Sequence, residues 1–134
     1  MGDIIVLAKT VVAKPDANNI AVQNILEAVD VSSYDSIDFQ VALLATTGSP
    51  NAITVSIITS MQVDTDDPTS TPAAWPVLAS TSNLTTSPVW TPLIVPASAA
   101  IPMFRYIRWK LTFTGGTNPT AIFSITGVGR RGVR

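Results

Sequence analysis

The densest group of side chains that could do chemistry is the acidic run Asp64, Asp66 and Asp67. Clustered carboxylates supply the hard oxygen ligands that Ca²⁺ prefers, so a calcium site is one interpretation of the run. The residues that follow lack the glycine at the sixth position and the glutamate at the twelfth position of an EF-hand loop. A solvated turn is therefore the favoured interpretation, and no metal site is predicted.

Catalytic side chains are scarce in the rest of the chain. The sequence has no histidine and no cysteine, which removes the commonest general base, the commonest metal ligand and any thiol nucleophile. A glycosidase would have to pair Glu27 with scattered aspartates, and none of them stands at a diagnostic spacing. The glycine-rich segment 127–132 lacks the Lys-Ser/Thr pair of a phosphate-binding loop. We expect no enzyme activity and no cofactor.

Tryptophans are the next candidates for a binding site. Trp109 alternates with Ile107 and Leu111, so it is predicted to lie in the core. Trp75 and Trp90 stand in a loop-rich region, where a tryptophan can anchor a protein interface, stack on a sugar ring or cap the core. All three interpretations stay open, and both residues are candidate subunit contacts.

The C-terminus is basic and supplies three further candidate subunit contacts, which are Arg130, Arg131 and Arg134. We expect this end to dock on an acidic surface of a neighbouring subunit. Nucleic-acid binding is not predicted, because three arginines lack an aromatic platform and the net charge of the chain is −1. Arg108 and Lys110 stand on the polar side of one predicted strand, where solvation and cross-strand pairing are expected.

The two halves of the chain differ in charge. Residues 1–70 carry nine acids and two lysines, a net charge of −7, whereas residues 71–134 carry six basic residues and no acid, a net charge of +6. Either the halves intermix in one sandwich and the bias averages out, or each subunit is dipolar and its basic end meets an acidic end of a neighbour.

Composition points to a protein that associates with other proteins. Charged residues make up 13% of the chain and hydrophobic residues 46%, with a mean hydropathy of +0.36. A domain so poor in charge is expected to cover apolar surface with partners. No apolar run reaches the length of a membrane span, and residues 1–3 do not resemble the start of a signal peptide. We expect a soluble protein that is made in a cytosol.

The elements that must position these residues are strands. Apolar and polar residues alternate with period two, or β-branched residues cluster, in five segments, which are residues 4–13, 37–45, 53–63, 104–114 and 121–128. The second and third of these flank the short turn 47–51, which predicts an antiparallel pair with one wet face. Residues 20–31 fit a short strand or a helical turn.

Residues 64–102 hold seven of the ten prolines and many serines and threonines. This segment is predicted to be a long Pro/Ser/Thr-rich connection with edge-like pieces at residues 75–78 and 90–95. The predicted fold class is all-β, an antiparallel β-sandwich that is jelly-roll-like. Residues 1–134 form one domain, and residues 129–134 form a basic tail.

Two segments carry a family resemblance. Residues 34–39 (Tyr-Asp-Ser-Ile-Asp-Phe) lead into a strand, and residues 104–109 (Phe-Arg-Tyr-Ile-Arg-Trp) precede a Gly-Gly turn and a final Gly-Val-Gly-Arg. In a small Ser/Thr-rich sandwich this layout resembles small virion proteins of tailed bacteriophages, namely capsid decoration (cement) proteins and head or tail accessory proteins. The Arg-Tyr-Ile-Arg segment is also similar to the late strand of discoidin-type sugar-binding sandwiches.

The first resemblance implies a structural protein of the virion, made in the host cytoplasm and present in many copies, often as trimers. Its partners would be other copies of itself and the major capsid protein or another virion protein, and it would stabilise an icosahedral shell. The alternatives are a carbohydrate-binding module that uses exposed tryptophans and a coat protein that assembles by itself.

Overall fold

The computed structural model describes residues 3–61, 75–98 and 100–131. Within these ranges no helix is long and apolar enough to cross a membrane. The ranges contain one 3₁₀ turn, Ile25–Glu27, and nine strands. The strands are β1 (Asp3–Ala13), β2 (Ile20–Val22), β3 (Val29–Asp30), β4 (Ser36–Thr47), β5 (Ala52–Ser60), β6 (Val77–Ser80), β7 (Val89–Val95), β8 (Tyr106–Thr114) and β9 (Thr120–Arg130).

The strands form two antiparallel sheets that pack face to face. One sheet has the order β1-β9-β4-β7, and the other has the order β2-β8-β5-β6 with β3 also paired to β8. Long strands that follow each other in the chain, such as β4 and β5 or β8 and β9, lie in opposite sheets. Two sheets interleaved in this way are a jelly roll, so the predicted fold class is confirmed.

The predicted hairpin between the strands at 37–45 and 53–63 is wrong. β4 pairs with β7 and β9, whereas β5 pairs with β6 and β8, so the turn near residue 48 carries the chain from one sheet to the other. Alternation of apolar residues shows only that each strand has a face toward a core. It is equally compatible with a neighbour in the same sheet and with one in the facing sheet.

The core lies between the two sheets and confirms the prediction for Trp109. The rings of Trp109 on β8 and Phe123 on β9 meet edge to face, with their centroids 4.8 Å apart. Such contacts add to the stabilisation that burial of the aromatic surface supplies. The core also contains the inward residues of the long strands, among them Ile37, Phe39, Val41, Val55, Ile57, Leu111 and Ile125.

The proline-rich connection supplies two edge strands, β6 and β7, close to the predicted pieces. Pro92 lies inside β7, which pairs with β4 on one side only. Proline lacks the N–H that a central strand needs, and an edge strand tolerates this loss. The ambiguous segment 20–31 contains both predicted elements, because β2 and β3 flank a 3₁₀ turn whose cap Asn24 accepts a 2.9 Å hydrogen bond from the amide of Leu26.

Candidate interaction face

The outward side of the β1-β9-β4-β7 sheet, named the outer face below, carries aligned rows of side chains. Strand register places one residue from each strand in the first row, which runs Ile4, Val128, Asp38 and Ile94. The second row runs Val6, Thr126, Gln40 and Pro92. The third row contains Ser124, Ala42 and Trp90. Paired residues of neighbouring strands point to the same side of a sheet, so each row is one continuous strip of surface.

Large apolar side chains are concentrated on this outer face. Nine such side chains are exposed in the described ranges, and six of them lie here, which are Ile4, Val6, Val12, Trp90, Ile94 and Val128. Ile4 is 81% exposed and Trp90 is 57% exposed. Isolated exposed apolar residues are ordinary, but a group on one face marks an interaction surface.

The local sequence of β1 explains two of these six side chains. The run from Ile4 to Leu7 is apolar at every position. Ile5 and Leu7 point into the core, so Ile4 and Val6 necessarily point outward. A strand that is apolar on both sides usually has both sides covered in its working state.

The centre of the outer face is polar and slightly concave. Exposed Gln40 and Thr126 pair across β4 and β9 in the second row. A shallow depression of about 290 Å³ lies over them, and its walls include Ile4, Asp38 and Val128. The face therefore has apolar edges and a polar centre that can donate and accept hydrogen bonds.

Two charged groups on the outer face, Asp38 and Arg130, neutralise each other. Arg130 Nε donates a 2.7 Å hydrogen bond to Asp38 Oδ2, and both side chains are partly exposed. β9 continues to Arg130, so residues 129 and 130 belong to a strand and not to the predicted tail. Arg130 is paired within its own chain, and its docking on a neighbouring subunit stays a prediction.

Arg131 is also held within the chain, at the rim of the face. Its Nη2 donates to Asp3 Oδ2 at 3.4 Å, and its guanidinium lies 5.9 Å from the centre of the Tyr34 ring. The Tyr34 hydroxyl donates to the same carboxylate at 2.9 Å, which raises the pKa of Tyr34. Arg134, with Asp64, Asp66 and Asp67, lies outside the described residues.

The acidic and basic halves of the chain intermix. A third pair joins Arg105 Nε to Asp30 Oδ2 at 3.1 Å. In each of these three pairs the acid comes from the first half and the arginine from the second, because β1 and β4 pair with β9 and β3 pairs with β8. The described residues therefore show the two halves intermixed in one sandwich, and not a subunit with one basic and one acidic end.

The pKa of Asp30 is lowered, mainly by its hydrogen bonds from Ser32 and less by its pairing with Arg105.

Trp75 is not a surface contact, which corrects its prediction. It is 5% exposed and packs with Ile25 and Ile58 in a second apolar cluster on the outside of the β2-β8-β5-β6 sheet. The Arg108 guanidinium lies 4.7 Å from the centre of its ring. Trp75 therefore covers Ile58 on the outward side of β5, a strand that is buried on both sides. Trp90, in contrast, is exposed on the outer face, and its role as a subunit contact stays a prediction.

Arg108 is fully buried, so the predicted solvation of this side chain is wrong. Its Nε donates a 2.9 Å hydrogen bond to the carbonyl of Gln23, and burial lowers its pKa. Stacking on Trp75 supplies the favourable surroundings that a desolvated guanidinium needs. No described residue accepts a hydrogen bond from its Nη1 or Nη2.

Within the described ranges no group of three or more acidic, histidine or cysteine side chains could hold a metal ion. Sequence reasoning missed the aliphatic part of the outer face, namely Ile4, Val6, Ile94 and Val128. Only β1 carried a sequence signal for this surface, because its run is apolar at inward and outward positions alike. Ile94 and Val128 are recognisable as surface residues only after the strands are placed side by side.

Comparison with protein families found no matching family model, and no curated protein matched. Among solved structures, the chain is similar to the K1 cleaved adhesin domain of Lys-gingipain from Porphyromonas gingivalis W83, with 11% identity and a TM-score of 0.44. The alignment covers 84% of this chain and 63% of that one, so the chain spans less than two thirds of the adhesin domain.

Two carbohydrate-binding modules are also similar. CsCBM6-3 from Clostridium stercorarium, solved with cellobiose, has 10% identity and a TM-score of 0.42 over 95% of this chain and 82% of that chain. CBM27-1 from Caldicellulosiruptor saccharolyticus, solved with mannohexaose, has 9% identity and a TM-score of 0.43 over 92% and 96%. TM-scores below 0.5 carry no conclusion about function, and the fold assignment rests on the strand pairing itself.

Proposed function

We propose that this protein is a non-catalytic structural subunit of a virion, of the capsid decoration kind, that binds other protein subunits through its outer face. The observation that carries the proposal is the concentration of exposed aliphatic side chains on that one face. Burial of aliphatic side chains away from water lowers the free energy of association without requiring any particular bond. Such side chains are therefore suited to contact with another protein surface of matching shape.

The size of the effect supports attachment in many copies. Full burial of an Ile or Val side chain contributes about 1.5–3 kcal/mol, and these side chains are already partly buried. Ile4, Val6, Ile94 and Val128 together therefore contribute several kcal/mol per contact, which is a modest affinity. A particle that offers many sites converts a modest affinity into stable attachment, provided that the subunits are linked or act together.

The resemblance to small phage virion proteins and the jelly-roll topology agree with this function, since viral capsid domains use the same topology. We propose that the chain is made in the host cytoplasm and is located on the virion. Its partner there is the major capsid protein or another virion protein.

The test is sedimentation of the tagged protein with undecorated shells of the phage that encodes it. Wild type is expected to sediment with the shells, and the double variant Val6→Lys/Ile94→Lys is expected to remain in the supernatant. Leu26→Lys is the matched control, because Leu26 is equally exposed but lies on the 3₁₀ turn outside the other sheet. Failure of wild type to bind shells, or binding that both variants retain, contradicts the proposal. Closed particles formed by the protein alone would identify a coat protein instead.

Carbohydrate binding is the second candidate, and Trp90 is the observation that favours it. Its exposed indole stands diagonally from Gln40, and an aromatic ring beside an amide is a usual way to bind a sugar. A glycan array probed with wild type and with Trp90→Ala tests this function. Binding of a glycan by wild type that the variant loses would support it, and an array without signal would remove it.

A further inference from the structure

We infer that the outer face binds a second copy of this chain, face to face, with a two-fold axis that lies between the copies and runs parallel to the strands. The inference rests on the proposed function and names the subunit that the face contacts as a second copy of the chain. The pair would then meet the shell through its other surfaces, with two attachments in place of one. A contact of this kind is isologous, which means that the same surface must fit itself after rotation.

The order of residue types in the second row satisfies that condition. Such a rotation reverses each row, so the β1 edge of one copy faces the β7 edge of the other. The second row reads apolar, polar, polar, apolar in both directions, from Val6 through Thr126 and Gln40 to Pro92. Reversal therefore places apolar edges on apolar edges and the hydroxyl of Thr126 opposite the amide of Gln40 in the second copy.

The first row gives the same result at its two ends, whereas its centre places Val128 opposite Asp38 of the second copy. Ile4 and Ile94 are its two edge residues, and both are exposed. After the rotation, Ile4 of each copy faces Ile94 of the other copy, so two aliphatic contacts form on either side of the axis. Two sheets that pack in this aligned manner lie about 10 Å apart, with their strands about 30° from parallel.

Charge does not oppose the contact. The Asp38–Arg130 pair is neutral, exposed Lys9 on β1 adds one positive charge, and the whole chain carries only −1. A face that meets its own copy always meets its own sign of charge, so a strongly charged face would repel itself. A face with so little charge can associate with a second copy.

The area of the face reaches what a specific dimer needs. Four strands are about 19 Å wide, and the eight residue steps from Ile4 to Val12 are about 26 Å long. One face is therefore about 500 Å² and two faces bury about 1,000 Å², which is the lower bound for a specific interface. We expect a dimer that dissociates on dilution.

Cysteine cross-linking tests both the dimer and its orientation, because the natural chain contains no cysteine. The double variant Ile4→Cys/Ile94→Cys is treated with a bismaleimide that spans two facing sheets, about 10 Å apart. Within one chain these positions stand at opposite edges of the sheet, about 14 Å apart, and a link there would not change the mass on a denaturing gel. We expect a covalent dimer from the double variant and none from either single variant or from Ile4→Cys/Leu26→Cys.

Sedimentation equilibrium supplies the second measurement. We expect Ile94→Lys to raise the dissociation constant of the dimer at least about tenfold, because it places two added cations at the contact. Leu26→Lys should change it less than about twofold, since Leu26 lies away from the face.

Several results would overturn the inference. A wild type that stays monomeric at its highest soluble concentration, a trimer, or equal cross-linking of the single variants would each do so. A monomer that still binds shells would remove the dimer and leave the proposed function standing. A dimer that forms the expected cross-link but does not bind shells would remove the proposed function and leave the dimer standing.

Discussion

Gln23 is a buried amide that joins three parts of the sandwich. Its Nε2 donates to the carbonyl of Leu7 on β1 at 3.3 Å and to the carbonyl of Glu27 on the 3₁₀ turn at 3.2 Å. Its Oε1 accepts a 3.2 Å hydrogen bond from the amide of Trp109 on β8. We predict that Gln23→Met destabilises the fold by about 2–4 kcal/mol.

The magnitude follows from the groups that the substitution leaves without partners. Methionine has nearly the length and volume of glutamine, so loss of packing contributes little. The buried Trp109 amide loses an acceptor, which costs about 1–3 kcal/mol, and the two carbonyls lose a donor at a smaller cost because each has a second lone pair. Against a usual stability of about 5–15 kcal/mol this loss is large.

Urea unfolding followed by tryptophan fluorescence measures the change, at a protein concentration low enough for the monomer. Gln40→Met is the matched control, because Gln40 is exposed and its change should alter the free energy of unfolding by less than about 0.5 kcal/mol. A Gln23→Met variant as stable as the control would refute the assigned role of the amide.

Three further predictions concern single side chains. Arg108→Met should leave the free energy of unfolding unchanged or raise it by up to about 2 kcal/mol, because an apolar side chain of similar length avoids the desolvation of the guanidinium. Thermal unfolding measures the change. A loss of more than about 2 kcal/mol would show that the fold needs the charge. The pKa of Asp30 in the folded protein is lower than its ordinary value of 3.8. The pairing of Asp30 therefore stabilises the fold at pH values above 3.8, and this contribution disappears as the pH falls through the pKa of the folded state. Asp30→Asn should therefore lose less stability than wild type between about pH 5 and pH 2.5, and parallel acid curves would contradict this. Gly127→Ala should lower the free energy of unfolding by about 1–3 kcal/mol, measured by urea unfolding. The reason is that the new Cβ would lie 2.8 Å from the Asp38 carbonyl oxygen and 2.6 Å from the Phe39 ring. A variant of wild-type stability would show that β4 moves aside at little energetic cost.

Local patterns predicted most of the strands well. Alternation placed β1, β4, β8 and β9 to within a few residues, because inward and outward positions along one strand are a property of neighbouring residues alone. The same patterns could not predict that β4 and β5 belong to different sheets. Pairing is decided by residues far apart in the chain, as when Ile37 meets both Val95 and Gly129.

The candidate site was predictable only in part. Trp75 and Trp90 were both candidate subunit contacts, and the structure exposes Trp90 but buries Trp75 against Ile58 and Arg108. Both tryptophans stand in similar Pro- and Ser-rich surroundings in the sequence. What separates them is the strand that each one reaches, since the outward Ile58 of β5 needs a cover and β7 is an exposed edge.

The sequence by itself determined that the chain is an all-β protein poor in charge and without histidine or cysteine, because composition and period-two alternation are local properties. Tertiary structure alone decided where the surplus apolar residues lie and which charges are free. It brought Ile4, Val128 and Ile94 from three strands into one row, and it paired Arg130 with Asp38. The physical reason is that a surface consists of side chains from several strands, and the order of strands in a sheet is set by long-range pairing that no single segment contains.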